Sequence, residues 1–247
     1  MRTLLGRDGS KMKLSSPIYK LKRHARLMAR EQTIPLHGAL DRLAAAEGSR
    51  SWSHLAASAT DKPADRLLNE LSAGDLLLLA ARPGQRKTLL ALELAMAASS
   101  AGYQSFFFTL DYTEADVIER LHSLGADLQK LTGSFVLDTS DEICADHIVQ
   151  RIGGTTKRAF VVVDYLQLLD QKRENPDIDT QIRSLRSFAA ASGSVIVTTS
   201  QIDRSFDPRA KRLPGVPDVR LPNSLDLSLF TRTCFMHDGE VKLQAVA

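Results

Sequence analysis

From Gly74 onward the sequence predicts an α/β fold, a mainly parallel sheet flanked by helices, on three observations. Short apolar runs of strand length alternate with segments of helical periodicity. Each of the first five runs ends beside a polar residue, and in open α/β sheets ligands gather at the carboxyl ends of the strands. The last two runs are separated by His237-Asp238-Gly239, where Asp-Gly is a strong signal for a closing hairpin.

Ahead of that domain the text is different. Residues 1–50 hold eleven Lys/Arg and four Asp/Glu, about +7. The whole chain has 32 and 29, so the rest has 21 and 25, about −4. Ser16-Pro17 is a helix-start signal, and Ile18, Leu21, Ala25 and Met28 repeat at helical spacing. Lys20, Lys22, Arg23, Arg26 and Arg30 cover the other faces of the same helix. A second helix is expected from Pro35 to about Glu47, ending near Gly48, and a short third one carries Trp52 and Leu55. Residues 1–60 therefore read as a small basic helical module, joined by a linker over Ala56–Pro63 to a domain spanning 66–247. A basic module can dock on nucleic acid, and it can equally present a solvated face.

In the main domain the expected strands are Leu76–Ala80, Ser105–Leu110, Ser134–Leu137, Ala159–Val163, Ser194–Thr199, Thr231–Met236 and Val241–Ala245. Between the first strand and the helix-like LLALELAMAA stands AARPGQRKT, the frame of a phosphate-binding loop. In G-x-x-x-x-G-K-[ST] the backbone N–H groups wrap phosphates, the lysine reaches the β/γ oxygens, and the hydroxyl meets Mg²⁺. Arg82, Pro83, Gly84, Gln85 and Arg86 form the loop here, and Lys87 and Thr88 take the last two roles. The glycine positions fall on Ala81 and Arg86, so a long cation stands where backbone approaches phosphate and where positive φ is often wanted.

Asp164 closes the run AFVVVD and is placed to hold Mg²⁺ opposite the Thr88 hydroxyl, although a strand-terminal aspartate also serves as a helix cap. Asp111, after FFFTL, is the candidate general base for an attacking water, and Gln201, ending VIVTTSQ, is the candidate for bonding the terminal phosphate. The expected cofactors are ATP and Mg²⁺.

Composition excludes several classes. With 43% hydrophobic and 25% charged residues the chain is an ordinary globular protein that can bury one sizeable core. No run approaches the roughly 18 apolar residues of a spanning helix, and the N-terminus is too polar for a secretory segment, so no membrane association and a cytoplasmic location are expected. Cys144 and Cys234, 90 residues apart and outside any CxxC, point to reduced packing residues.

Taken together, DLLLLAARPGQRKT, FFFTLDYTEADVIERL, FVVVDYLQLLD, VIVTTSQIDRSFDPRAKR and PDVRLPNSLD resemble the ATPase domain of DnaB-type hexameric helicases, within the RecA-like P-loop superfamily, over residues 66–247. The resemblance implies a RecA-like core, Mg-ATP bound between subunits, single-stranded DNA held by central loops, and a homo-oligomeric ring or docking on another replication protein. Alanine at position 81 is normal in that family. Three departures bear on hydrolysis. Arg86 replaces a loop glycine, and Asp111 stands where the family has glutamate, withdrawing the carboxylate by about 1.5 Å. No counterpart is expected of the basic segment with which helicases reach a neighbour's phosphate. Slow hydrolysis follows, with a non-hydrolysing interaction module as the alternative. In the family the loop after Gln201 contacts DNA, so Arg204, Arg209, Lys211 and Arg212 are expected to meet phosphates and Phe206 to stack on a base.

Overall fold

The structure, a computed structural model, describes residues 15–16, 18–58, 63–221 and 223–246. The chain divides into two compact units, residues 1–62 and 63–247. Pro17 of the expected helix-start signal and residues 59–62 of the expected linker lie outside the described residues.

The first unit contains α1 (Ile18–Glu31), α2 (Leu36–Ala46) and α3 (Trp52–Ser58). Leu21 packs with Ala44 and Leu55, and Ala25 with Ala39 and Leu43, so the apolar stripe read at helical spacing is the inner face of α1. Asp41 ties the start of α3 to α2 by accepting a hydrogen bond from the Trp52 N–H at 2.9 Å.

The second unit opens with α4 (Pro63–Glu70) and continues through β1 (Leu76–Ala81), α5 (Lys87–Ser100), β2 (Gln104–Thr109), α6 (Glu114–Ser123), α7 (Leu128–Leu131), β3 (Phe135–Asp138), α8 (Ala145–Ile152), β4 (Ala159–Asp164), α9 (Ile178–Ser192), β5 (Val195–Gln201), β6 (Arg232–His237) and β7 (Glu240–Ala245). The strands form one sheet in the order β3-β2-β4-β5-β1-β6-β7, parallel except for the antiparallel β6–β7 hairpin. Every residue of β1 and β4 is buried, as expected of parallel strands covered by helices on both faces. Alternate residues feed two cores. Leu76, Leu78, Val161 and Val163 pack with α8 and α9, while Leu77, Leu79, Val162 and Val197 pack with α5 and α6.

The expected strands are all present, with ends displaced by one or two residues. β5 runs on to Gln201 because it pairs with β1 as far as Ala81. The hairpin turn has Asp238 at φ 51° and Gly239 at φ 82°, the left-handed pair that a tight two-residue connection requires. Both cysteines are free; burial pushes the Cys234 thiol up to about 12, which makes it inert. Among the described residues no helix is long and apolar enough to cross a membrane.

Candidate functional site

The parallel order brings the carboxyl ends of β4, β5 and β1 side by side, and the phosphate-loop frame leaves β1 at that edge. Arg82 to Arg86 turn the chain into α5, Gly84 at φ 78° and Arg86 at φ 64°, ψ 26°. Arg86 thus adopts the left-handed conformation in which glycine is unstrained and an L-residue costs about 1–2 kcal/mol. Its side chain is exposed, and its carbonyl accepts the Leu90 N–H at 3.0 Å, the first bond of α5. The loop therefore keeps a left-handed bend without the glycine. Gln85 holds it from outside by accepting a hydrogen bond from the Asp238 N–H of the hairpin turn at 2.8 Å.

Lys87 and Thr88 begin α5, whose free N–H groups and dipole favour an anion. Thr88 Oγ1 donates to Asp164 Oδ2 at 2.9 Å, and Lys87 Nζ lies 3.4 Å from Asp164 Oδ1. A fourth group completes the cluster. Thr199 Oγ1 accepts from Lys87 Nζ at 2.7 Å and donates to Asp164 Oδ1 at 2.5 Å. Asp164 and Thr199 are buried (1% and 0% exposed), and the Lys87 side chain is 14% exposed. Burial drives the Lys87 pKa below its ordinary value, and attraction to Asp164 restores only part of it.

Asp111 stands at the exposed rim, just before the Thr113–Asp116 capping box that starts α6. Partial burial, and then repulsion from Asp164, raise its carboxyl pKa, while Lys87 pulls it down. Asp111 is thus within electrostatic reach of Lys87 and Asp164, the two charged members of the cluster. Gln201 lies one step away, in a cleft of about 220 Å³ lined by Tyr165, Gln167, Gln201 and Arg220. Tyr165 joins the two regions, since its ring centroid is 5.8 Å from Lys87 Nζ.

A nucleotide with Mg²⁺ fits these residues. Mg²⁺ takes hard oxygen ligands, often one or two carboxylates plus substrate phosphates, and Thr88 and Asp164 present a hydroxyl and a carboxylate in mutual contact. Among the described residues no group of three or more His, Cys, Asp or Glu could hold a metal ion.

The model of the DnaB-like helicase C-terminal domain matches residues 60–135 and 126–227. The chain belongs to this family. A probable plasmid replicative DNA helicase of Chlamydia muridarum is 28% identical over 181 residues, covering 61% of this chain and 40% of that protein. The replicative DNA helicase DnaB of Leifsonia xyli subsp. xyli is 25% identical over 193 residues, covering 66% and 42%. The chain thus spans about two fifths of the length of these relatives. A solved DnaB-like replicative helicase, described with its interactions with primase, superposes at TM-score 0.55 with 18% identity over 87% of this chain and 65% of its own. A KaiC-like protein of the hyperthermophilic archaeon Pyrococcus horikoshii superposes at 0.53 with 16% identity over 70% and 80%. These likenesses agree with the sheet order, and the fold is RecA-like.

Within this DnaB-like domain the loop after Gln201 departs from one expectation. Phe206 is 4% exposed and packs edge-to-face on His237 with ring centroids 5.4 Å apart, so it has no face on which to stack a base. Of the cations expected there, Lys211 pairs with Asp218 at 2.7 Å and Arg212 with Glu240 at 2.6 Å, while Arg204 and Arg209 are exposed. Such surface pairs are worth about 0–1 kcal/mol, and a phosphate can displace them. The loop is pinned at its base by the Ile202–Val219 bridge and by the Arg220 N–H donating to the Gln201 carbonyl at 2.8 Å. Sequence reasoning missed Thr199, Tyr165, Gln167 and Arg220. Thr199 carried no distinguishing signal, since Thr198 and Ser200 beside it are buried hydroxyls of the same strand.

Proposed function

We propose that this DnaB-like domain binds Mg-ATP through Lys87, Thr88 and Asp164, hydrolyses it slowly, and couples nucleotide state to single-stranded DNA. The observation that carries the reading is the part-buried Lys87–Thr199–Asp164–Thr88 network at the carboxyl edge of the sheet. Lys87 has three donors, enough to keep Thr199 and still reach the β/γ oxygens. The α5 N-terminus and the loop N–H groups would cradle the phosphates. Mg²⁺, held by Thr88 and Asp164, would neutralise charge on the terminal phosphates.

Asp111 accepts a proton from the attacking water as its oxygen bonds to the γ-phosphorus and the bond to the β-γ bridging oxygen breaks. Its raised pKa, set first by partial burial and then by Asp164, makes it a stronger base than an ordinary aspartate. Gln201 bonds the terminal phosphate, and its backbone link to Arg220 gives loop 202–219 a means of registering phosphate loss. Arg204, Arg209, Lys211 and Arg212 then meet DNA phosphates. The shorter Asp111 and the cationic side chain of Arg86 support slow turnover, since a misplacement of about 1 Å can cost on the order of 10²-fold in rate. The exposure of Arg86 favours this reading over a non-hydrolysing interaction module. Assembly as a homo-oligomeric ring, or docking on another replication protein, belongs to the same proposal, as does a cytoplasmic location.

Calorimetry with Lys87→Ala tests it. Mg-ATP binding should be abolished in the folded variant, and unchanged affinity removes the phosphate-loop reading.

A further inference from the structure

We infer that the exposed face of α1 is a docking surface for the phosphate backbone of duplex DNA. At 100° per residue Lys20, Arg23, His24, Arg26, Leu27 and Arg30 share one arc of the helix, opposite Leu21 and Ala25, and all six are exposed. Glu31, in the final position, is the one carboxylate on α1 and falls in the same arc, between Lys20 and His24, so the arc sets four Lys/Arg against one carboxylate. Asp41 and Glu47, the acidic residues of α2 and its C-terminal cap, accept hydrogen bonds from the Trp52 N–H and from Ser15. The arc is a net cationic stripe on a helix of 14 residues, about 21 Å long.

Three observations select the occupant. Duplex DNA carries a negative charge about every 1.7 Å of axis, a dense and rigid complement to cations held on a rigid helix. Its major groove, about 12 Å wide, admits an α-helix. Leu27, 48% exposed, lies within the arc with Arg23, Arg26 and Arg30 on one side and Lys20 and His24 on the other, where an apolar side chain can meet a thymine methyl on the groove floor. An anionic bilayer is a poorer match. Surface-lying helices need an apolar face free to enter the acyl boundary, and the apolar face of α1 is consumed by Ala39, Leu43, Ala44 and Leu55.

The surface belongs to the helical module and stands apart from the nucleotide reading. The test uses the full chain and fluorescence anisotropy with a duplex oligonucleotide over a salt series. In Lys20→Gln/Arg26→Gln/Arg30→Gln the log–log salt slope should fall by about 2.7, or roughly 0.9 for each lost phosphate contact, with affinity falling at every salt concentration. Arg30→Gln alone should lower it by about 0.9, which covers a triple variant that folds poorly. Arg204→Gln/Arg209→Gln should leave the duplex slope unchanged and flatten only the single-strand slope, so failure of this inference and of the loop reading are separable. An unchanged duplex slope in the α1 variants overturns the proposal, as does an α1 variant that loses sedimentation with phosphatidylserine vesicles while keeping its duplex affinity.

Discussion

Thr199→Val removes one hydroxyl from a fully buried position and keeps the side-chain shape. Two hydrogen bonds to charged groups disappear, one from Lys87 Nζ at 2.7 Å and one to Asp164 Oδ1 at 2.5 Å. Hydrogen bonds of that kind contribute about 1.5–3 kcal/mol each. Lys87 and Asp164, already 3.4 Å apart, can close into a direct pair and recover roughly one of the two, leaving a net loss of about 2 kcal/mol. For a domain of this size about 1 kcal/mol moves the melting temperature by roughly 2–4 °C, so the valine variant should melt roughly 4–8 °C lower. Thr199→Ser should recover most of that loss. Thermal unfolding followed by far-ultraviolet circular dichroism is the assay, repeated with Mg-ATP, because a ligand that binds only the folded state raises its stability. A valine variant that melts with the parent would refute the assignment of Thr199 as the hydroxyl that ties the lysine to the aspartate.

Arg86→Gly with Asp111→Glu should raise ATP turnover at least about tenfold, measured as steady-state phosphate release, because the glycine removes the cation and the glutamate restores the missing reach. Phe206→Ala should cost about 3–5 kcal/mol by chemical denaturation, the range for emptying a buried aromatic site; a cost near zero would return Phe206 to the surface. Asp111→Asn should raise the melting temperature at neutral and alkaline pH. A carboxyl whose folded pKa is raised destabilises the fold at pH values above its unfolded pKa, and that penalty fades as pH falls through both values. The gain should therefore vanish on acidification, and a gain independent of pH contradicts the assigned causes.

The strands were legible because parallel strands covered on both faces must be apolar along their length, and LLLLAA and the AFVVV that precedes Asp164 are. Their last residues were less so. A ladder ends where its neighbour ends, and nothing within VIVTTSQ reports that Ala81 is the partner of Gln201. Lys87, Thr88 and Asp164 were legible because each sits at a fixed offset from a strand end. Thr199 was not, because its role depends on two side chains from other elements reaching the same oxygen. The assignment of Phe206 failed for a related reason. An aromatic among arginines has the composition of a stacking platform, and only His237, 31 positions later, shows that the ring turns inward. Arg220 went unnoticed because the 202–219 loop must close before it stands beside Gln201.

The position of β1 has a consequence for how the chain comes into being. It is the first strand of this sheet to be synthesised, yet its two neighbours are β5 and β6, whose residues begin at Val195 and Arg232. Until those emerge, Leu76 to Leu79 have both hydrogen-bonding edges open and their apolar side chains lack the flanking strands. Open strand edges and exposed apolar surface are the hazards that expose nascent chains to aggregation, and pairings this distant in sequence are slow to form. Both partners of the pair β2–β4 are complete by Asp164, before either neighbour of β1 has been made. Nucleotide affinity should accordingly be absent from a translation intermediate halted before Val195, even though such a fragment already contains Lys87, Thr88 and Asp164.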